Sequence, residues 1–337
     1  ITGRDAMSQQ SLADLENIIL KEHDIINAIF AEMEKVIVGQ RYLIERILVG
    51  LIANGHILIE GVPGLAKTLA VRTFSSVIQA NFNRIQFTPD MLPADLTGTP
   101  VYVQQTGTFT TRKGPIFTNI LLADEINRAP AKVQSALLEV MEERQVTIAE
   151  TSYALEEPFM VLATQNPIEH DGTYSLPESQ LDRFMLKVNI TYPERSQEHK
   201  ILRDMAVTQK SCTVKKIIHP EHILKIRALV DDIHIDEKVE NYILDVIEAT
   251  RNPEKFKIAD LKGLIEYGAS PRATLNLALA AKAHAFLAGR AYVTPQDVKA
   301  VAKDVLNHRI IHSYRAEADG LKNEDLMQKI LDYLAVP

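Results

Sequence analysis

The spacing of apolar and polar positions changes character near residue 193. Before that point, short apolar runs with the length of buried strands alternate with stretches of helical period. The strand-like runs are residues 56–60, 83–87, 119–123, 159–164 and the more mixed 184–190. The helical stretches are residues 12–37, 41–53, 67–78 and 131–144. This order predicts an α/β fold built on a largely parallel sheet.

Two segments do not fit that alternation of strands and helices. Residues 100–112 alternate in polarity around a Thr-Gly turn, and residues 145–155 alternate around Glu150. Alternation on both sides of a turn is typical of a β-hairpin. We therefore expect two β-hairpin inserts in the α/β core, which either contact a partner or are plain surface hairpins.

Beyond residue 193 almost every segment has helical period. These segments are residues 197–207, 221–232, 237–251, 271–288, 295–305 and 324–334. The pattern predicts a second, smaller, all-helical domain. We expect an N-terminal helical segment at residues 1–36, the α/β core at 37–193 and the helical domain at 194–337.

Composition and charge narrow the class of protein. Of the 337 residues 46% are hydrophobic and 24% are charged, which matches an ordinary globular chain. The formal net charge of −7 argues against a protein that coats nucleic acid. Cys212 is the single cysteine, so no internal disulfide or cysteine metal cluster can form. The ten histidines show no metal-ligand spacing, and we expect His56 at the edge of a strand.

The apolar stretches do not predict a membrane protein. The most apolar one, residues 273–288, contains Asn276, Lys282 and His284, as expected of an amphipathic helix. The N-terminus lacks a basic flank followed by an apolar signal core. We therefore expect a cytoplasmic protein without membrane insertion.

The strongest chemical signal is the segment Gly-Val-Pro-Gly-Leu-Ala-Lys-Thr at residues 61–68, between a predicted strand and a predicted helix. Gly61 and Gly64 allow the backbone N–H groups to curl around an anion, and the helix adds its positive N-terminal end. Lys67 supplies a charge for the β- and γ-phosphates of ATP, and the Thr68 hydroxyl is placed to bind Mg²⁺. The candidate phosphate-binding residues are Gly61, Val62, Pro63, Gly64, Leu65, Ala66, Lys67, Thr68 and Leu69.

One position departs from the general phosphate-loop pattern. The pattern has glycine directly before the lysine, where this chain has Ala66. If Ala66 adopts a helical backbone, the methyl group is tolerated and nucleotide binding survives. The alternative for the whole segment is a glycine-containing turn that happens to precede a lysine.

A second signal follows at residues 120–125, where an apolar strand ends in Asp124 and Glu125. We expect Asp124 to hold Mg²⁺ through water and Glu125 to act as the general base for the attacking water. Many strands end in an acidic surface residue, which is the alternative for this segment taken alone.

The run DEINRAPAKVQSALLEVMEE at residues 124–143, with GVPGLAKT before it and ATQNP after it, resembles the MoxR family of AAA+ ATPases. Matching segments extend from Val38 to at least Arg272, and the helical tail is compatible. The resemblance implies a P-loop AAA+ core with a parallel sheet and two β-hairpin inserts, followed by a smaller all-helical lid domain. It also implies ATP hydrolysis with Mg²⁺.

The resemblance assigns further site residues. Asn166 matches sensor 1, although an asparagine can simply begin a turn before proline. Arg183 matches the arginine finger that a neighbouring subunit supplies, the alternative being a structural ion pair with Asp182 or Glu178. Arg272 matches sensor 2 in the lid, and its alternative is a solvated arginine in the first turn of a helix.

The remaining implications concern adenine and partners. Val38 and Gly39 match the segment that flanks adenine, and the two hairpins match inserts that face the ring pore or a client. The family implies a hexameric ring and a chaperone-like motor acting on a protein client, such as a protein with a von Willebrand factor A domain. A magnesium-chelatase-like motor subunit, an MCM-like nucleic-acid motor and a slowly hydrolysing nucleotide switch remain alternatives.

Overall fold

The computed structural model describes residues 9–167, 173–206 and 213–337, with side chains from residue 14 onward. The chain forms two compact units. The larger unit comprises Ile29–Phe184 and Val188–Leu224, and the smaller unit comprises Ile1–Ala28, Met185–Lys187 and Lys225–Pro337. The domain limits at residues 36 and 193 stay a prediction, and Cys212 lies outside the described residues.

The strands, numbered in chain order, mostly match the apolar runs of the sequence to within two residues. They are β1 (Ile57–Glu60), β2 (Phe82–Gln86), β3 (Gly98–Val103), β4 (Thr108–Lys113), β5 (Ile120–Asp124), β6 (Gln145–Ile148), β7 (Thr151–Ala154), β8 (Met160–Gln165), β9 (Leu186–Asn189), β10 (Ile265–Tyr267) and β11 (Ile311–His312).

The helices follow the stretches of helical period, with three short helices in addition. They are α1 (Gln9–Glu34), α2 (Arg41–Ile52), α3 (Lys67–Val77), α4 (Pro93–Thr97), α5 (Ala131–Glu143), α6 (Glu178–Leu181), α7 (Arg195–Met205), α8 (Pro220–Asp231), α9 (Glu237–Arg251), α10 (Pro271–Leu287), α11 (Pro295–Leu306), α12 (Tyr314–Ala318) and α13 (Asn323–Tyr333). Among the described residues, no helix is long and apolar enough to cross a membrane.

The central sheet has five strands in the order β2-β5-β8-β1-β9. The pairs β2–β5, β5–β8 and β8–β1 are parallel. All five residues of β5 are buried, as expected of a central parallel strand covered on both faces. Because parallel strands end at the same edge, the residues that follow β1, β5 and β8 converge there. This edge carries the sequence-predicted chemistry.

Both predicted hairpins are confirmed as antiparallel pairs, β3 with β4 and β6 with β7. They contact each other through the hydroxyl groups of Thr111 and Tyr153, 2.9 Å apart. Lys113 at the end of β4 lies over two aromatic rings, 4.7 Å from the centroid of Phe117 and 5.2 Å from that of Tyr153. The two inserts therefore pack together on the larger unit.

The smaller unit is helical, as predicted, but also contains an unpredicted two-stranded antiparallel ladder of β10 and β11. Asp297, in the first turn of α11, is fully buried and accepts hydrogen bonds from His284, Arg290 and Thr294. Burial alone would raise the pKa of Asp297, but these hydrogen bonds hold it below its usual range. This cluster fixes the start of α11 within the smaller unit.

His56 immediately precedes β1 and is buried, which the sequence did not indicate. The Val161 N–H donates to its Nδ1 at 2.9 Å, so the proton is on Nε2, which donates to the Met141 carbonyl at 3.0 Å. His56 thus ties the start of β8 to the end of α5. It has a structural role in the larger unit.

Candidate functional site

The loop between β1 and α3 has the backbone conformation of an anion-binding turn. Gly64 has a φ of +87°, and a Cβ built there would meet no atom within 4 Å, so conformation rather than space demands glycine. The first helical hydrogen bond of α3 runs from the Ala70 N–H to the Ala66 carbonyl. The N–H groups of the first helical turn therefore have no acceptor within the helix and are available to an anion.

Ala66 corrects one expectation from the sequence. Its φ of +57° and ψ of +23° are left-handed, so the helical backbone under which the methyl group would be tolerated is not adopted. A Cβ in this region is crowded by backbone and costs about 1–2 kcal/mol relative to the right-handed conformation. Since the Ala66 side chain is exposed, no contact within the core compensates. The departure from glycine is accommodated at a cost in local stability.

Replacing Ala66 by glycine should therefore stabilise the larger unit, by up to about 1 kcal/mol once the greater freedom of the unfolded chain is subtracted. Replacing Gly64, where φ is also positive, by alanine should destabilise it by about 1 kcal/mol. Midpoints of urea unfolding measure both changes. A loss of stability in Ala66→Gly would show that the left-handed backbone at residue 66 is not the source of strain.

Lys67, the first residue of α3, points its ammonium group back to the loop. Its Nζ donates to the Gly61 carbonyl at 2.6 Å. Burial lowers the pKa of Lys67, while the charges of Asp124, Glu125 and Glu60 act in the opposite direction. The lysine is thus a partly desolvated cation beside the acidic end of β5, where it can attract phosphate strongly.

Asp124 ends β5 and is held on both carboxylate oxygens. The Thr164 hydroxyl donates to Oδ1 at 2.6 Å, and Arg84 donates to Oδ2 through Nε at 3.0 Å and Nη2 at 2.7 Å. The Thr68 hydroxyl lies 3.5 Å from the same Oδ2. Hydroxyl and carboxylate oxygens are ligands that Mg²⁺ prefers, so Thr68 and Asp124 fit a magnesium site, directly or through water.

Glu125 follows β5 and has an unusual backbone for a non-glycine residue, with φ +57° and ψ +52°. Its N–H donates to the Thr164 hydroxyl at 2.9 Å, so one threonine positions both acidic residues. The Oε2 of Glu125 accepts from the Gln86 amide at 2.7 Å and lies 3.0 Å from Nε of Arg128. These contacts fix the carboxylate orientation in this conformation.

A cavity of about 400 Å³ brings most of these groups together. The residues that line it are Pro63, Gly64, Leu65, Ala66, Lys67, Thr68, Leu69, Asp124, Glu125, Thr164 and Asn166. Asn166, just after β8, is 5% exposed and lies in the wall. Gly61 and Val62 belong to the loop but not to this lining.

A second cavity of about 590 Å³ in the larger unit contains the predicted adenine-flanking segment. Its lining residues are Glu34, Ile37, Val38, Gly39, Arg41, Tyr42, Ser196, Gln197 and Lys200. Gly39 has a φ of +77°, and a Cβ there would lie 2.6 Å from Oε1 of Gln197. The positive φ favours glycine at this position, and a larger residue would also require the Gln197 side chain to move.

The two candidate arginines lie outside the lining of the phosphate cavity. Arg183 follows α6, donates to the Leu138 carbonyl at 2.9 Å and lies 3.0 Å from a carboxylate oxygen of Glu142. Arg272 is exposed in the first turn of α10, in the smaller unit. Their catalytic roles stay predictions.

Several residues at the site were missed by sequence reasoning. Arg84 and Gln86 flank the buried Ile85 on β2, and Thr164 precedes Asn166 by two positions. Two polar residues around one apolar residue in a strand next to β5 were the available signal, since alternate strand residues share a face. Recognising it required the strand order β2-β5-β8, which a single sequence does not give.

Comparisons with known proteins agree with this geometry. Residues 56–186 match the ATPase family associated with various cellular activities (AAA), and residues 260–330 match the AAA lid domain. The chaperone MoxR1 of Mycobacterium tuberculosis is 47% identical over 96% of this chain and 85% of that protein. YeaC of Bacillus subtilis is 39% identical, over 94% of this chain and 96% of that protein.

A solved structure shows the same fold. The crystal structure of a candidate ATPase from Cytophaga hutchinsonii superimposes with a TM-score of 0.90 and 47% identity. The match covers 98% of this chain and all of that one. With an AAA core, an AAA lid and near full-length similarity to MoxR1, the chain belongs to the MoxR family of AAA+ ATPases.

Proposed function

We propose that this protein hydrolyses ATP at the cavity beside β1, β5 and β8 and uses the energy as a chaperone-like motor on protein partners. One observation carries the proposal: the phosphate loop, two consecutive acidic residues and Asn166 line the same cavity. Each group alone has a structural explanation. A cation, an anion-binding turn, an oxygen-ligand pair and a carboxylate base around one cavity fit phosphoryl transfer.

The phosphate-binding side of the site combines backbone and side-chain groups. The N–H groups at the start of α3 and the ammonium of Lys67 bind the β- and γ-phosphates. Thr68 and Asp124 hold Mg²⁺, which when bound neutralises charge on the phosphate oxygens. Val38 and Gly39, which line the second cavity, are the proposed contacts for adenine.

Glu125 acts as the general base that accepts a proton from the attacking water. The Thr164 hydroxyl orients the Glu125 backbone, and Asn166 positions the water or the γ-phosphate from the cavity wall. Gln86 and Arg128 hold the Glu125 carboxylate through Oε2, and Glu125 lines the cavity.

A second copy of the chain completes the site in a hexameric ring. Arg183 of one subunit stabilises charge on the phosphoryl group bound by its neighbour, and Arg272 couples the lid to nucleotide state. The ion pair with Glu142 holds Arg183 at the surface of the larger unit, where the Arg183 side chain is 32% exposed. An exposed pair of this kind contributes only about 0–1 kcal/mol, so it does not prevent Arg183 from engaging a neighbour.

The proposed client is a protein, such as one with a von Willebrand factor A domain. The chaperone name of the Mycobacterium tuberculosis relative supports a protein partner. The exposed β3–β4 hairpin carries Tyr102 and Phe109, whose ring centroids lie 5.2 Å apart, and so offers an apolar contact surface. Of the two adjacent basic residues at its base, Arg112 and Lys113, the lysine packs on aromatic rings.

Phosphate release from Mg·ATP, measured with and without single-stranded and duplex DNA, tests this proposal. We expect hydrolysis that depends on Mg²⁺ and does not respond to DNA at low salt. Stimulation by DNA that falls steeply with added salt would favour a nucleic-acid motor instead. Absence of hydrolysis in the assembled protein, with ATP bound, would favour a nucleotide switch.

A further inference from the structure

Arg84 on β2 contacts the carboxylate oxygen that faces Thr68. Its Nε and Nη2 lie 3.0 and 2.7 Å from Oδ2 of Asp124, while Thr164 takes Oδ1. The oxygen that fits a magnesium site is therefore already neutralised by a guanidinium group of the same chain. Side-chain exposure is 47% for Arg84 and 13% for Asp124, so the arginine approaches a mostly buried carboxylate from the solvent side.

The position of Arg84 follows from strand register. In the parallel β2–β5 pair, Arg84 is opposite Leu122 and Gln86 is opposite Asp124. Arg84 and Gln86 share one face of β2, and Nη2 of Arg84 donates to the Gln86 amide oxygen at 2.7 Å. Gln86 in turn donates to Glu125. Arg84 is thus held in place by two neighbours and is not a randomly oriented surface cation.

We propose that Arg84 is a built-in counter-ion that competes with a divalent cation for Oδ2 of Asp124. The inference rests on the proposed Mg²⁺–nucleotide site. A guanidinium and a divalent cation on the same carboxylate oxygen repel each other, so the metal binds this site more weakly while Arg84 stays in place. Arg84 therefore keeps the acidic site neutral before the metal arrives and raises the metal concentration needed to fill it.

The competing interpretation makes Arg84 a supporting residue that orients Asp124 for the metal. The two interpretations predict opposite signs. Removing a competitor strengthens metal binding, whereas removing an orienting residue weakens it. Because the arginine is half exposed, the effect of removing a competitor should be moderate, roughly 3- to 10-fold in the metal dissociation constant.

The test is electron paramagnetic resonance of Mn²⁺, titrated into the full-length protein with a fixed amount of a non-hydrolysable ATP analogue. Mn²⁺ shares the oxygen-ligand preference of Mg²⁺ and is directly observable. The variant Arg84→Met removes the guanidinium but keeps the length of the side chain. Arg72→Met, at an exposed position of α3 outside the cavity lining, makes the same change in net charge.

We expect Arg84→Met to bind Mn²⁺ roughly 3- to 10-fold more tightly than wild type. Arg72→Met should match wild type. Weaker or unchanged Mn²⁺ binding in a folded Arg84→Met, checked by thermal unfolding, would overturn the inference. If wild type itself shows no nucleotide-dependent Mn²⁺ site, the proposed function fails instead, which separates the two outcomes.

Discussion

Glu125→Gln is expected to lower the rate of ATP hydrolysis by about 100- to 10,000-fold while the protein still binds ATP, because an amide cannot accept the proton of the attacking water. The substitution keeps the size of the side chain and can keep the contact with Gln86. The backbone contact between the Glu125 N–H and Thr164 is untouched. Single-turnover phosphate release measures the rate, and titration of a fluorescent ATP analogue measures binding.

Glu139→Gln provides the matched control, since Glu139 is exposed on α5 and lies outside the cavity lining. It should hydrolyse ATP at the wild-type rate. Hydrolysis by Glu125→Gln within a few-fold of wild type would assign the base to another group. Loss of ATP binding together with hydrolysis would indicate that the substitution disturbs the phosphate loop and not the proton transfer.

Arg183→Ala should lower hydrolysis by about 1,000-fold or more in the assembled protein, because an arginine finger stabilises the charge that develops on the transferred phosphoryl group. ATP binding should be close to wild type, since Arg183 does not line the phosphate cavity. Steady-state phosphate release and ATP titration, with oligomer size measured by analytical ultracentrifugation, check both expectations.

Glu142→Gln distinguishes this role from a structural ion pair. It weakens the contact between Arg183 and Glu142 but leaves the guanidinium in place. If Arg183 acts on a neighbour's nucleotide, Glu142→Gln retains most activity, because an exposed pair contributes only about 0–1 kcal/mol. An equal loss of activity in both variants would mean that the ion pair itself matters.

Much of the fold could be predicted from the sequence because its elements are strongly periodic. The apolar runs that became β1, β5 and β8 and the alternating segments of the two hairpins carry local signals. The short elements were not predicted. The ladder of β10 and β11 is too short to show a period, and it depends on a contact between segments far apart in the chain.

The candidate site was predicted less completely, for physical reasons that differ between residues. The phosphate loop and the acidic pair are contiguous, so their spacing is visible in the sequence. Arg84 reaches Asp124 only because β2 lies next to β5, which is a long-range property. The left-handed backbone of Ala66 depends on how the loop closes onto α3. Alanine as a residue type favours a right-handed backbone, so this conformation could not be read from the sequence.

Strain is concentrated around the phosphate cavity. Ala66 and Glu125, two non-glycine residues in its lining, have positive φ angles. Such conformations cost on the order of 1–3 kcal/mol each and persist where surrounding contacts hold them. For Glu125 the holding contact is the hydrogen bond to Thr164, which makes that threonine a positioning residue in our account.

The central claim is that one ATP site is divided between two copies of this chain. Mixing Lys67→Ala with Arg183→Ala before adding ATP tests it most directly. Each variant alone should be nearly inactive, one lacking the phosphate lysine and the other the arginine finger.

In an equal mixture, roughly a quarter of the head-to-tail interfaces should combine an intact phosphate site with an intact Arg183. The account predicts that hydrolysis recovers to about a quarter of the wild-type rate, in proportion to these intact interfaces. A mixture in which the two variants co-assemble, yet whose activity equals the average of the two variants alone, would contradict the divided site.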